Sequence, residues 1–134
     1  MFEEPIIQTR GFQNVGEPGA RSGFQLCIRT PYYRGMWLSM LEGADVTVDG
    51  ERHSRSDVTW TIAGETYSVA ELAAASERRW PYEQPALLTV PRAGGLEAGA
   101  HQLEVGVVYR MSYIPAEMQP TTSIARRSLT LVAA

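Results

Sequence analysis

The run His101-Gln102-Leu103-Glu104-Val105-Gly106-Val107-Val108-Tyr109-Arg110-Met111-Ser112-Tyr113 decides the fold class. Leu103, Val105, Val107, Tyr109, Met111 and Tyr113 share one parity, and Gln102, Glu104, Arg110 and Ser112 take the other. Successive side chains of a strand point to opposite faces, so the pattern predicts a long strand with one buried side. Gly94-Gly95 and Ala98-Gly99 supply turns ahead of it.

The same alternation recurs in shorter pieces on either side. Phe24, Leu26 and Ile28 oppose Gln25, Cys27 and Arg29. Val46-Thr47-Val48 runs into Asp49-Gly50, a two-residue hairpin signal because both central positions tolerate positive φ. Val58 to Ile62 is rich in β-branched and aromatic residues, and Ala63-Gly64-Glu65 turns it toward Thr66-Tyr67. Ala86 to Val90 and Ser128 to Val132 read as two further strands. One helix interrupts the series: Ser68-Val69-Ala70-Glu71 has capping-box spacing, strong helix formers follow, and Pro81 and Pro85 stop it. Short strands between Gly/Pro turns, with one short helix, predict an all-β, two-sheet antiparallel β-sandwich forming one domain over residues 1–134.

Bulk composition narrows the function. At 134 residues the chain can bury a real core without a metal or disulfide staple. A net charge of -3 with no basic block argues against nucleic acid, which needs clustered cations. Cys27 is the only cysteine, no stretch is apolar enough to span a bilayer, and the acidic start Met1-Phe2-Glu3-Glu4-Pro5 is not followed by an apolar signal core. A reducing, cytoplasmic setting is therefore expected.

No complete catalytic set is visible, and no catalytic residue or metal ligand is assigned. His53 follows a hairpin turn in a polar run and reads as a solvent-facing loop side chain. His101 opens a strand and reads as a turn or edge residue. Two His without fixed spacing make no metal motif. Cys27 lies inside a strand pattern, as a packed thiol would. What remains is surface. Pro31, Tyr32, Tyr33, Arg34, Gly35, Met36 and Trp37 combine aromatics, Met and Arg around a glycine, the composition of an interface core or of a sugar-stacking platform. Met36, Leu38, Met40 and Leu41 can equally start a core strand. Ile114, Pro115 and Met118 form a second apolar patch, and Trp80-Pro81-Tyr82 reads as packing of the helix end.

These stretches carry a resemblance. Ser22-Gly23-Phe24-Gln25-Leu26, then Pro31-Tyr32-Tyr33-Arg34-Gly35 with Leu38-Ser39-Met40, then Val46 to Gly50, resemble the small β subunit of bacterial C-glycoside deglycosidases. Tyr67 to Leu72, Leu88-Thr89-Val90-Pro91, Gly94-Gly95-Leu96 and Ser112-Tyr113-Ile114-Pro115 fit as well. The resemblance implies a heteromer in which a TIM-barrel α subunit holds a divalent metal, manganese, and the acid/base residues, with no cofactor in this chain. The implied reaction cleaves the carbon–carbon bond between a 3-oxo sugar and an aromatic aglycone. A 3-keto group acidifies the proton at C2, so enolisation and elimination can expel a carbon leaving group from the 3-oxo-C-glycoside substrate. The small subunit would pack near the substrate entrance. Where a smaller residue or Pro is expected ahead of Leu38-Ser39, this chain has Met36-Trp37. At the substrate mouth Trp37 would reshape the pocket; against the barrel it would strengthen the interface. A free carbohydrate-binding module, with Tyr32, Tyr33 and Trp37 as stacking rings, is the alternative function.

Overall fold

A computed structural model describes residues 6–31, 35–110 and 119–134. Strands β1 (Gln13–Glu17), β2 (Ala20–Ile28), β9 (Ala86–Pro91), β6 (Thr59–Ile62) and β7 (Glu65–Tyr67) form one antiparallel sheet in the order β1-β2-β9-β6-β7. A second sheet is ordered β11 (Thr121–Leu131), β10 (Gly99–Tyr109), β4 (Leu41–Val48), β5 (Glu51–His53). Their inner faces share one core. Phe24, Leu26, Ile28, Trp60, Ile62, Leu88 and Val90 come from the first sheet, and Val46, Val48, Leu103, Val105, Val107 and Leu131 from the second. The sandwich expected from alternation is present. No helix among the described residues is long and apolar enough to cross a membrane.

Local chemistry sets the connections. Asp49 and Gly50 both take positive φ, at 50° and 87°, which lets β4 turn straight into β5 with Val48 opposite Glu51. Ala63-Gly64 makes the matching turn between β6 and β7. The capping box forms as expected: the Glu71 amide donates to the Ser68 hydroxyl at 3.2 Å, and the Ser68 amide donates to the Glu71 carboxylate at 3.0 Å. It starts helix α1 (Val69–Ala74), whose Leu72 is fully buried.

Three features depart from the sequence reading. The last strand begins at Thr121 rather than Ser128 and pairs with β10 along its whole length. Its polarity is inverted over Thr121 to Arg127: Ile124 points to solvent, whereas Arg127 points toward the sandwich edge and donates to the Ile7 carbonyl at 2.7 Å. An edge strand carrying an inward-directed charge resists pairing with other chains. His53 is not a loop residue. The β4–β5 register puts it opposite Val46, on the inner side, where its ring meets Phe24 edge-on at 5.7 Å. Lastly, a third sheet exists, a two-stranded ribbon of β3 (Met36–Trp37) and β8 (Arg79–Trp80).

Candidate functional site

The ribbon is where the aromatic stretch lands. Met36 pairs with Trp80 and Trp37 with Arg79, and the Leu38 amide donates to the Arg78 carbonyl at 3.0 Å. Gly35 is required by close approach: a Cβ there would lie 2.8 Å from the Trp80 carbonyl oxygen and 3.2 Å from the Tyr82 nitrogen. Behind the ribbon, Met36 and Leu38 enter the core, and Trp80 meets Trp60 edge-to-face at 5.5 Å. The Trp80 indole N–H donates to the Gln84 carbonyl at 2.6 Å, tying the strand to the chain that follows it. In front, Trp37 is 38% exposed with the Arg79 guanidinium 4.9 Å from its ring centre, and Tyr82 is 42% exposed.

The expected site residues therefore separate. Met36 is buried, a correction to its reading as a surface contact; two-residue alternation in the ribbon turns it inward and Trp37 outward. Pro31 and Gly35 are the described residues on either side of 32–34. Tyr32, Tyr33 and Arg34, like Ile114, Pro115 and Met118, lie outside the described residues. The start of β4 and the end of β10 are bound together. The Arg110 amide donates to the Met40 carbonyl at 2.8 Å, Tyr109 pairs with Leu41 and Thr121, and Arg110 and Glu42 form an ion pair. Trp80 packs as expected, whereas Arg79 and the exposed ring of Tyr82 were not assigned to a surface. The signal for Arg79 was its place beside Trp80, since outward and inward residues alternate along a strand.

The opposite end carries a polar cluster of structural character. His101 is buried, with Nδ1 2.6 Å from Asp49 and Nε2 2.6 Å from the Glu97 carbonyl, and its ring meets Phe12 edge-on. Asp49 also accepts from the Gln102 amide at 2.8 Å. Burial alone would lower the imidazole pKa, but the Glu97 carbonyl and Asp49 carboxylate outweigh it and raise the value. The Gln102 amide first, then His101, hold the Asp49 carboxyl below its ordinary range. The protonated ring satisfies both acceptors at once and locks the β4–β5 hairpin to β10.

The sign of the pH dependence follows. A raised histidine value contributes stability that is present below the ordinary histidine pKa and lost as pH rises through the folded-state value. The lowered Asp49 contributes stability that is lost as pH falls through its own folded-state value. His101→Gln is expected to cost about 1–3 kcal/mol at mildly acidic pH and to flatten the decline in melting temperature on the alkaline side. Melting curves of both proteins across that range check it; parallel profiles would remove His101 from the linkage.

Other reactive groups are quiet. Burial raises the Cys27 thiol pKa against a smaller downward pull from Arg10, as suits a packed thiol. Among the described residues, no group of three or more His, Cys, Asp or Glu converges as a metal site would require.

Fold and surface together define a class: an antiparallel β-sandwich whose most developed exposed feature is a buttressed aromatic–arginine ribbon. The family model described as C-glycoside deglycosidase beta subunit matches residues 2–113. The chain is 37% identical over 119 residues to the C-glycoside deglycosidase beta subunit of Eubacterium cellulosolvens, covering 88% of this chain and 81% of that one. It is 26% identical over 105 residues to the beta subunit of the same name from Arthrobacter globiformis, covering 78% and 79%. It is also 29% identical over 99 residues to the 3'-dehydrocarminate deglycosidase beta subunit of a Microbacterium species, covering 74% of each. The chain belongs to the family of C-glycoside deglycosidase beta subunits.

Proposed function

We propose that this chain is the accessory subunit of a heteromeric C-glycoside deglycosidase, a carbon–carbon lyase acting on 3-oxo-C-glycosides. In this reading a TIM-barrel α subunit performs the chemistry with a divalent metal, manganese, and its own acid/base groups. The observation that carries it is the 37% identity to a named beta subunit across 88% of the chain. In this reading the metal belongs to the partner and not to this chain. Both ring nitrogens of His101 are already engaged, by the Asp49 carboxylate and the Glu97 carbonyl, which supports that reading. Its contribution is instead to brace the barrel and help form the substrate entrance from the end of the sandwich that carries the ribbon. The proposal includes a cytoplasmic setting, in keeping with a single reduced, buried cysteine.

Reconstitution tests it. Turnover of an aryl 3-oxo-C-glycoside is expected with both subunits present, and little or none with either alone. Full turnover by the barrel alone would overturn the reading. The exposed Trp37 ring favours a second reading, a free-standing carbohydrate-binding module. In calorimetry the isolated chain would then take up glycosides without any partner, whereas an accessory subunit is expected to give no such heat.

A further inference from the structure

The ribbon carries one cation whose bonding is incomplete. Arg78, just before β8, pairs with Glu65 at 3.4 Å, whereas Arg79, exposed on β8, has no carboxylate partner among the described residues and lies over Trp37. A guanidinium stacked on an indole is oriented by the ring yet keeps its in-plane N–H donors free for a planar anion. Everything behind the pair is fixed. Met36 and Trp80 are buried, Gly35 is sealed against the 80–82 backbone, and the Trp80 indole is tied to Gln84. Trp, Tyr and Arg on a rigid support are the residues that dominate binding energy in protein interfaces, because little conformational freedom is lost when they are covered.

We infer that the outer side of the ribbon, Trp37 stacked with Arg79, is the anchor by which this subunit docks onto its larger partner, which presents a carboxylate to Arg79 inside an apolar contact for Trp37. The inference rests on the subunit reading above and adds the contact and its chemistry. A protein carboxylate suits the pair better than a sugar for two reasons. Arg79 already occupies a face of the indole that a sugar ring would need for stacking. Two surface hollows among the described residues, one lined by residues such as Cys27 and Leu87 and the other by Phe12 and Leu131, include none of Trp37, Arg79 or Tyr82. The pair lies outside both hollows, on the exposed side of the ribbon. Charge complementarity then selects the occupant, because a free, oriented guanidinium on an apolar ring is matched by an acidic side chain.

The test measures the dissociation constant of the subunit complex by titrating this chain onto its immobilised barrel partner. Trp37→Ala and Arg79→Glu are each expected to raise it at least tenfold. Arg79→Gln should raise it less and remove most of its salt dependence. Ile124→Glu, on the outer face of β11, is the control expected to change nothing. Melting curves of all four variants should match the wild type, since the altered side chains are exposed. If the wild-type complex forms and Trp37→Ala and Arg79→Glu bind as tightly as it does, the anchor is elsewhere and only this inference is lost. If the wild type forms no complex, the subunit reading itself is lost. Uptake of an aryl C-glycoside by the isolated chain, abolished by Trp37→Ala, would replace the protein partner with sugar.

Discussion

Gly23→Ala is expected to lower stability by about 3 kcal/mol, roughly 10 °C in melting temperature for a chain of this size. Gly23 sits in β2, opposite Val15 on one side and Pro91 on the other, inside the larger sheet. A Cβ there would fall 2.1 Å from the Val90 carbonyl oxygen and 3.1 Å from the Pro91 Cα. Both obstacles are backbone, so no rotamer change relieves the clash; β2 and β9 must separate by about an ångström, which disrupts their hydrogen bonds. The strands in question carry Phe24 and Val90 into the core, so the packing loosens along with the pairing. Gly106 is the control. It is also an isolated glycine within a paired strand, but a Cβ there would meet only Thr122 Cγ2, at 3.7 Å, and Ile124 Cγ1, at 4.0 Å. Gly106→Ala should stay within about 0.5 kcal/mol of the wild type, or stabilise. Equal melting temperatures for the two variants would contradict the close approach at Gly23.

That pair marks how far the sequence can be read. An isolated glycine in an alternating run signals either close backbone approach or nothing, and Gly23 and Gly106 look alike until the neighbouring strand is placed. What was legible was local. Asp49-Gly50 dictated its hairpin through positive φ, Ser68 and Glu71 satisfied each other's amides, and the parity of Leu103, Val105 and Val107 put them in the core. The ribbon was not legible, because Met36-Trp37 and Arg79-Trp80 are two-residue strands joined across more than 40 positions, too short to show a period. The start of β11 was hidden for a different reason. Protecting a free edge placed Arg127 inward and Ile124 outward, which erases the alternation that announces a strand. At the candidate site, composition singled out Trp37, but only the ribbon register separates it from buried Met36 and supplies Arg79 from a distant segment.

Trp80→Ala should have the largest effect of all, about 3–5 kcal/mol, because it removes a fully buried indole and leaves Trp60 without its edge-to-face partner. A loss of that size is a large fraction of the 5–15 kcal/mol typical of a domain, so partial unfolding is expected at moderate temperature. Phenylalanine substitutions separate packing from hydrogen bonding at this spot. Trp80→Phe keeps a ring but strands the Gln84 carbonyl, whereas the Trp60 indole N–H is buried without a hydrogen bond and has none to lose. Trp80→Phe should therefore be less stable than Trp60→Phe by about 1–2 kcal/mol; equal losses would mean the Gln84 bond contributes nothing. The same variants discriminate support from contact at the docking surface. Trp37→Ala is expected to weaken the complex while leaving the melting temperature of the free chain intact. Trp80→Ala should lower both, even when assayed cold enough to remain folded, because β8 then has no buried side chain holding Arg79 against Trp37. A complex of wild-type affinity from folded Trp80→Ala would show that the ribbon needs no buttress, and the case for a preorganised anchor would fail with it.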